Sequence, residues 1–175
     1  MMGGADFFMS DLEIVRKAAL RILNFRPRSE HELRERLSRK KLTGEFVDHV
    51  VADLKREGML DDEKFAKLYA LSRIQSRGLG KGLIRRELQP RGLSAELVSK
   101  AMGSIEDFDD FELAKNLACR RLANMKGLSA QAKKRRLHGV LFRRGFSPEI
   151  IFKALGALSI PTHENSSERS VSENE

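Results

Sequence analysis

The sequence predicts an all-α protein, an elongated array of three tandem three-helix repeats, and three observations carry that fold class. The chain repeats itself: Ile84, Leu88, Arg91, Leu93, Ser94, Leu97, Val98, Ala101 and Met102 align without a gap on Leu137, Leu141, Arg144, Phe146, Ser147, Ile150, Ile151, Ala154 and Leu155 at an offset of 53. A shift of 51 the other way reaches Leu33, Leu37, Lys40, Leu42, Thr43, Phe46, Val47, Val50 and Val51. Within each copy the apolar positions recur at i, i+4 and then i, i+1, i+4, i+5, which is the spacing of helical faces. Finally, no stretch alternates apolar and polar residues over the length of a strand. Repeats of about 45 to 50 residues sit near the lower limit for independent folding, so they lean on their neighbours.

The elements follow in chain order. Residues 1–9 read as a flexible leader, and Ser10 to Glu13 form a capping box that opens the first repeat, 10–58. Its first helix carries the stripe Leu12, Val15, Ala19, Ile22 and Leu23 and stops at Pro27. A second capping box, Ser29 to Glu32, opens the helix of Leu33 and Leu37, and Thr43 is the expected cap of a third helix that ends at Gly58.

In the second repeat, 59–105, Asp61 or Asp62 caps a helix whose Phe65, Leu68 and Tyr69 face inward. The glycines 78, 80 and 82 read as a hinge before the short helix of Ile84 and Leu88. Pro90 to Gly92 break the chain again, and Ser94 caps the next helix. The third repeat, 106–158, opens with a capping box at Asp109 to Glu112 and a stripe of Phe111, Ala114, Ala118, Leu122 and Met125. Ser129 caps its second helix, and Ser147, Pro148 and Glu149 open its third in the favoured order of helix-start signals. Residues 159–175, rich in Ser, Asn and Glu, are expected to be a disordered acidic tail.

Composition narrows the function classes. The net charge of +8 hides an asymmetry: the tail holds four Glu against Arg169, which leaves +11 on the remainder. A basic body suits nucleic acid, an acidic protein surface or a nucleoprotein. The single cysteine, Cys119, excludes an internal disulfide framework and suits a reducing compartment. Its place near the apolar side of a helix predicts a packed thiol. No apolar run approaches the length of a membrane span and no secretory pattern opens the chain, so a cytoplasmic protein is expected.

Catalytic, cofactor and metal-ligating residues are not expected. Adjacent Asp61 and Asp62 at a helix start fit caps better than an acid/base pair, which needs two carboxyl groups set across a cleft. His31, His49, His138 and His163 lack partners at zinc spacing and are expected at the surface or its boundary. Lys81 among glycines lacks the spacing and the preceding strand of a phosphate loop. The remaining signal is basic. Arg73, Arg85, Arg86 and Arg91 in the second repeat, and Lys133, Lys134, Arg135, Arg136, Arg143 and Arg144 in the third, are the candidate binding residues. Lys40, Arg91 and Arg144 hold equivalent places after the second helix of each repeat, where a cation also complements the helix dipole.

Residues 60–102 carry a more specific pattern. Leu60, Asp61 and Asp62 precede Phe65 and Ala66; Arg73 follows, then Gly78 and Gly80, then Ile84, Arg85, Glu87 and Leu88 ahead of Arg91 and Gly92. This pattern resembles the RecX family of bacterial recombination regulators, and the resemblance extends from about Ala18 to Leu155. Met59 stands where that family tends to have an aromatic residue. Pro90 interrupts a segment that is more usually helical and is expected to shorten the second helix of the middle repeat. The resemblance implies a non-enzymatic modulator that lodges in the groove of the RecA filament on DNA and dampens strand exchange, ATP hydrolysis and co-protease activity. It would act as a monomer, with RecA and DNA as partners, the DNA bound weakly and without regard to sequence. The alternative is a direct DNA-binding protein of tandem helix-turn-helix or Myb-type repeats. Myb-type repeats depend on core tryptophans, and this chain has none.

Overall fold

Serine caps, in-register leucines and left-handed turn residues set the architecture. In the computed structural model, which describes residues 4–105 and 109–160, the described residues form nine α-helices and no strand. These are α1 (Gly4–Phe25), α2 (Glu30–Ser38), α3 (Glu45–Arg56), α4 (Asp62–Arg77), α5 (Lys81–Leu88), α6 (Ala95–Gly103), α7 (Asp110–Ala123), α8 (Ala130–Arg143) and α9 (Pro148–Gly156). Ser29, Ser94, Ser129 and Ser147 each accept a hydrogen bond from the backbone N–H three residues on, which satisfies a donor that the first helical turn leaves unpaired. Asp109 does the same for the Phe111 N–H at 2.8 Å.

The equivalent apolar positions of the three repeats meet the same fate. Leu33, Ile84 and Leu137 are fully buried, and so are Leu37, Leu88 and Leu141 one turn later. Val47, Val98 and Ile151 anchor the third helix of each repeat in the core. Each such side chain contributes roughly 1.5–3 kcal/mol by leaving water. In the first repeat α1 packs on α2 and α3 around Val15, Ala19, Leu33 and Leu54. In the third, α7, α8 and α9 enclose Ala114, Ala118, Leu137, Leu141, Phe146 and Ile151.

By compactness the chain divides into Met1–Gln75 with Ile84–Asp107, and Ser76–Leu83 with Phe108–Glu175. The first unit is tied together by polar groups that cross between repeats. The Ser29 hydroxyl donates to the Arg91 carbonyl at 2.7 Å while it caps α2, and Asp62 accepts from the Glu30 N–H at 2.8 Å. Glu32 receives the guanidinium of Arg91, with Arg26 at 3.4 Å and Arg28 at 3.9 Å. Arg91 and Arg73 both lie over the Tyr69 ring, 4.8 and 4.6 Å from its centroid. The Tyr69 hydroxyl in turn donates to Glu87 at 2.7 Å.

Glu32→Ala is expected to destabilise this unit by about 2–3 kcal/mol, because it strands two guanidiniums that are largely withdrawn from water; the range is that of a broken buried pair, discounted for the partial exposure of Arg91. Urea unfolding followed by circular dichroism reads it, and an unchanged midpoint would refute the role.

In the second unit, the glycine-rich segment docks on the turn between α8 and α9. Gly80 N–H donates to the Arg144 carbonyl at 2.9 Å and Gly82 N–H to the Gly145 carbonyl at 3.1 Å. A Cβ on Gly80 would lie 2.8 Å from Phe146 Cδ1, and one on Gly82 2.7 Å from the Gly145 oxygen. These glycines therefore serve close backbone approach, which replaces the expected hinge.

Several other expectations are corrected. The first helix begins at Gly4, so the leader expected over 1–9 is helical in its described part and the Ser10–Glu13 pattern lies inside a helix. No proline interrupts that stretch to force a start at Ser10. Gly44, with φ of 84°, takes the cap position of α3 in place of Thr43. Leu68 is exposed, because Phe65, Ala66 and Ala70 occupy the inward face of α4. Cys119 is exposed too, one step round the helix from Leu117 and Ala118, which take the core positions. Pro90 ends α5 after eight residues and seeds a 3-10 turn over Gln89–Arg91, as expected of a residue that cannot continue the helix ladder. Of the expected acidic tail, residues 161–175 lie outside the described residues, as does His163.

Candidate functional site

The basic residues separate into two groups according to what they touch. Arg73 donates to Glu87 at 2.9 Å and to the Tyr69 hydroxyl at 3.0 Å, and Arg91 is engaged by Glu32 and Tyr69, so both hold the fold together. Arg144 donates to the Arg77 carbonyl, and Lys133 is 6% exposed. These four candidates are drawn in against the chain; for Arg91 and Arg144, which follow the second helix of their repeats, that accords with the structural role open to a cation there beside a binding one. A cation after a helix and a cation on its outer face look alike in sequence, and the neighbouring carboxylate or carbonyl that claims it is remote in the chain.

The other candidates are exposed. Arg85 and Arg86 lie on α5, and Lys134, Arg135, Arg136 and Arg143 lie on α8. The α8 set is distinctive because the helix contains no Asp or Glu, and among the described residues none of its four exposed cations has a carboxylate partner. Between residues 109 and 160 there are eleven Lys or Arg against four Asp or Glu, with Lys115 paired to Glu112 and Lys153 to Glu149. The field of this unit is felt at Arg144, whose guanidinium is held below its ordinary value by burial and then by the charges of Arg121 and Arg120.

Two aromatic rings complete the α8 face. His138 and Phe142, four residues apart and hence on one side of the helix, stack with centroids 6.3 Å apart and planes within 10°. Phe142 is 60% exposed. Arg135 precedes His138 by three residues and Phe142 by seven, which places its stem on the same side. A helix face with unneutralised guanidiniums beside an exposed ring can hold phosphates or carboxylates through charge-assisted hydrogen bonds and a flat or apolar group on the ring. On α8, Leu137 and Leu141 fill core positions, and His138 and Phe142, one step later, face outward.

Of the two carboxylates at the start of α4, one caps that helix, as expected. Asp61 accepts from the Lys64 N–H at 2.9 Å, and Asp62 serves α2 rather than its own helix. Burial pushes the Asp62 carboxyl up, against the opposing pull of the Glu30 N–H. His31, His49 and His138 are exposed. Among the described residues no group of three or more His, Cys, Asp or Glu is placed to hold a metal, and no helix is long and apolar enough to cross a membrane.

Comparison with known proteins gives a consistent match along the chain. Residues 16–54, 61–102 and 108–155 match the family descriptions "RecX, first three-helix domain", "RecX, second three-helix domain" and "RecX, third three-helix domain". A "Regulatory protein RecX" of Streptomyces coelicolor is 32% identical over 136 residues, covering 78% of this chain and 72% of the relative. The protein of that name from Pelodictyon phaeoclathratiforme is 31% identical and is covered over 88% of its length by 82% of this chain. The crystal structure of RecX from Lactobacillus salivarius superposes with a TM-score of 0.78 at 20% identity, over 85% of this chain and 96% of that one, a likeness of fold.

Proposed function

Because the chain belongs to the RecX family of regulatory proteins, we propose that it is a non-enzymatic regulator that occupies the groove of the RecA filament on DNA and restrains the filament's strand exchange, ATP hydrolysis and co-protease activity. The observation that carries this reading is the α8 face, where Lys134, Arg135, Arg136 and Arg143 project without acidic partners beside the His138–Phe142 stack. A filament groove offers phosphates and acidic protomer surfaces together, and a groove already occupied cannot admit a second DNA or a substrate protein. Arg85 and Arg86 on α5 are the second contact. Several modest contacts linked in one chain gain from effective concentration, which suits a monomer acting in the cytoplasm on a polymer of repeating subunits. Residues 10–58, 59–105 and 106–158 would be the three contacting units.

The same cations favour direct binding to bare DNA as the second reading, and salt separates the two. Binding through phosphates alone weakens with a slope set by the number of counterions released. The expected result is that RecA ATPase on single-stranded DNA falls as this protein is titrated in at physiological salt, while bare duplex competes poorly. Duplex competing as well as the filament, or an ATPase rate that does not respond, would overturn the regulator reading.

A further inference from the structure

Over residues 11–40 most cations are neutralised, and the exceptions in that stretch line one pocket. Among the basic side chains of residues 11–40, Arg16, Lys17, Arg26, Arg28, Arg34 and Arg39 each have a carboxylate within ion-pair distance. Arg21, Arg36 and Lys40 have none among the described residues, and all three line a single pocket of about 440 Å³ beside α1 and α2. Arg28 lines the same pocket, is 4% exposed, and has its Nε buried without a hydrogen-bond partner. Its one counter-charge, Glu32 at 3.9 Å, is shared with Arg26 and Arg91. Burial, then the charges of Arg26 and Arg36, holds the Arg28 guanidinium below its ordinary value, so the pocket already crowds positive charge.

The rest of the lining is apolar: Ala18, Ile22 and Phe25, the last 84% exposed at the end of α1. The volume falls within the roughly 300–1,000 Å³ of small-molecule sites. Guanidiniums match phosphate oxygens in planar, paired hydrogen bonds, and an exposed phenyl ring offers a face on which any base stacks. Four cations in so small a space call for concentrated negative charge. A peptide supplies one charge per carboxylate, with side chains on one face of an extended strand two residues apart; a phosphate chain supplies several within the same span.

We propose that this pocket is a binding site for a nucleotide, with phosphates held by Arg21, Arg28, Arg36 and Lys40 and the base on Phe25. The ligand could be a free nucleoside polyphosphate or one unit of a single strand, since the chemistry is shared. The site is distinct from the α8 face, and its test needs no RecA.

The experiment is titration calorimetry of the full chain at low salt with four probes: thymidine triphosphate, hexathymidylate, pyrophosphate and hexaglutamate. Thymidine triphosphate or hexathymidylate is expected to bind, the former marking a free-nucleotide site and the latter alone a strand site. Arg36→Gln with Lys40→Gln should weaken the bound probe at least tenfold, whereas Arg135→Gln with Arg136→Gln should leave thymidine triphosphate unchanged. Phe25→Ala should weaken thymidine triphosphate and leave pyrophosphate unchanged. All these substitutions are at exposed positions without internal ion pairs, and unchanged thermal unfolding verifies the fold. Failure of both nucleotides to bind, equal weakening by the two double variants, hexaglutamate competing as well as thymidine triphosphate, or insensitivity to Phe25→Ala would each overturn the assignment.

Discussion

Gly145→Ala is expected to destabilise the second compact unit by about 3–5 kcal/mol. Gly145 sits at φ of 84°, a left-handed conformation that costs a residue with a Cβ roughly 1–2 kcal/mol. The new methyl would also lie 2.2 Å from the Leu83 nitrogen and 2.4 Å from its Cβ. Backbone must move to relieve that overlap, and overpacking of this kind costs about 1–3 kcal/mol more. The same movement breaks the Gly80 and Gly82 hydrogen bonds to this turn. Gly58→Ala calibrates the two parts, since φ there is 70° with nothing within 4 Å of a Cβ, and it should lose only the conformational share. Urea denaturation gives the difference, and hydrogen exchange at the Gly80 and Gly82 amides localises it. Equal losses at the two positions would show that the contact with residue 83 contributes nothing.

Reversing the charge of Arg135 and Arg136 together is expected to weaken binding to the RecA–DNA filament by about 30- to 100-fold at low salt, with inhibition of ATPase shifted to correspondingly higher protein concentration. That fold-change corresponds to about 2–3 kcal/mol, reasonable for two exposed cations that become anions against a negative partner. Neither side chain has an internal partner among the described residues, so stability should hardly change. Lys17→Glu with Arg56→Glu makes the same change in net charge on side chains already engaged by Glu13 and Asp53, and less than a threefold effect is expected there. If both double variants weaken binding alike, overall charge and not the α8 face is responsible.

Residues whose role depends on near neighbours were legible in the sequence. Ser29, Ser94, Ser129 and Ser147 could be read as caps because the donor they satisfy lies three residues away, and Leu33, Ile84 and Leu137 as core because their partners repeat at helical spacing. Residues whose role depends on a distant partner were not. Arg91 and Lys40 hold equivalent positions, yet the first is drawn in by Glu32 and Tyr69 and the second stays exposed. Asp62 looks like a cap for its own helix and instead serves a backbone N–H 32 positions earlier. The site follows the same rule: that α8 is basic could be read directly, but that its cations lack acidic partners depends on which carboxylates the fold brings near. The pocket of Arg21, Arg28, Arg36 and Lys40 left no signature, because two helices separated by a proline turn supply it.

The bonds from Ser29 to Arg91 and from Glu30 to Asp62 bear on the ancestry of the molecule. Duplication of a segment of about 50 residues would explain the recurring leucines, yet the first two copies hold bonds to each other that a free-standing unit would lack. A gene fragment cut after Gly58 would encode a helix start deprived of two of its anchors, so shuffling these segments among relatives should yield chimeras that fold only when the first two travel together.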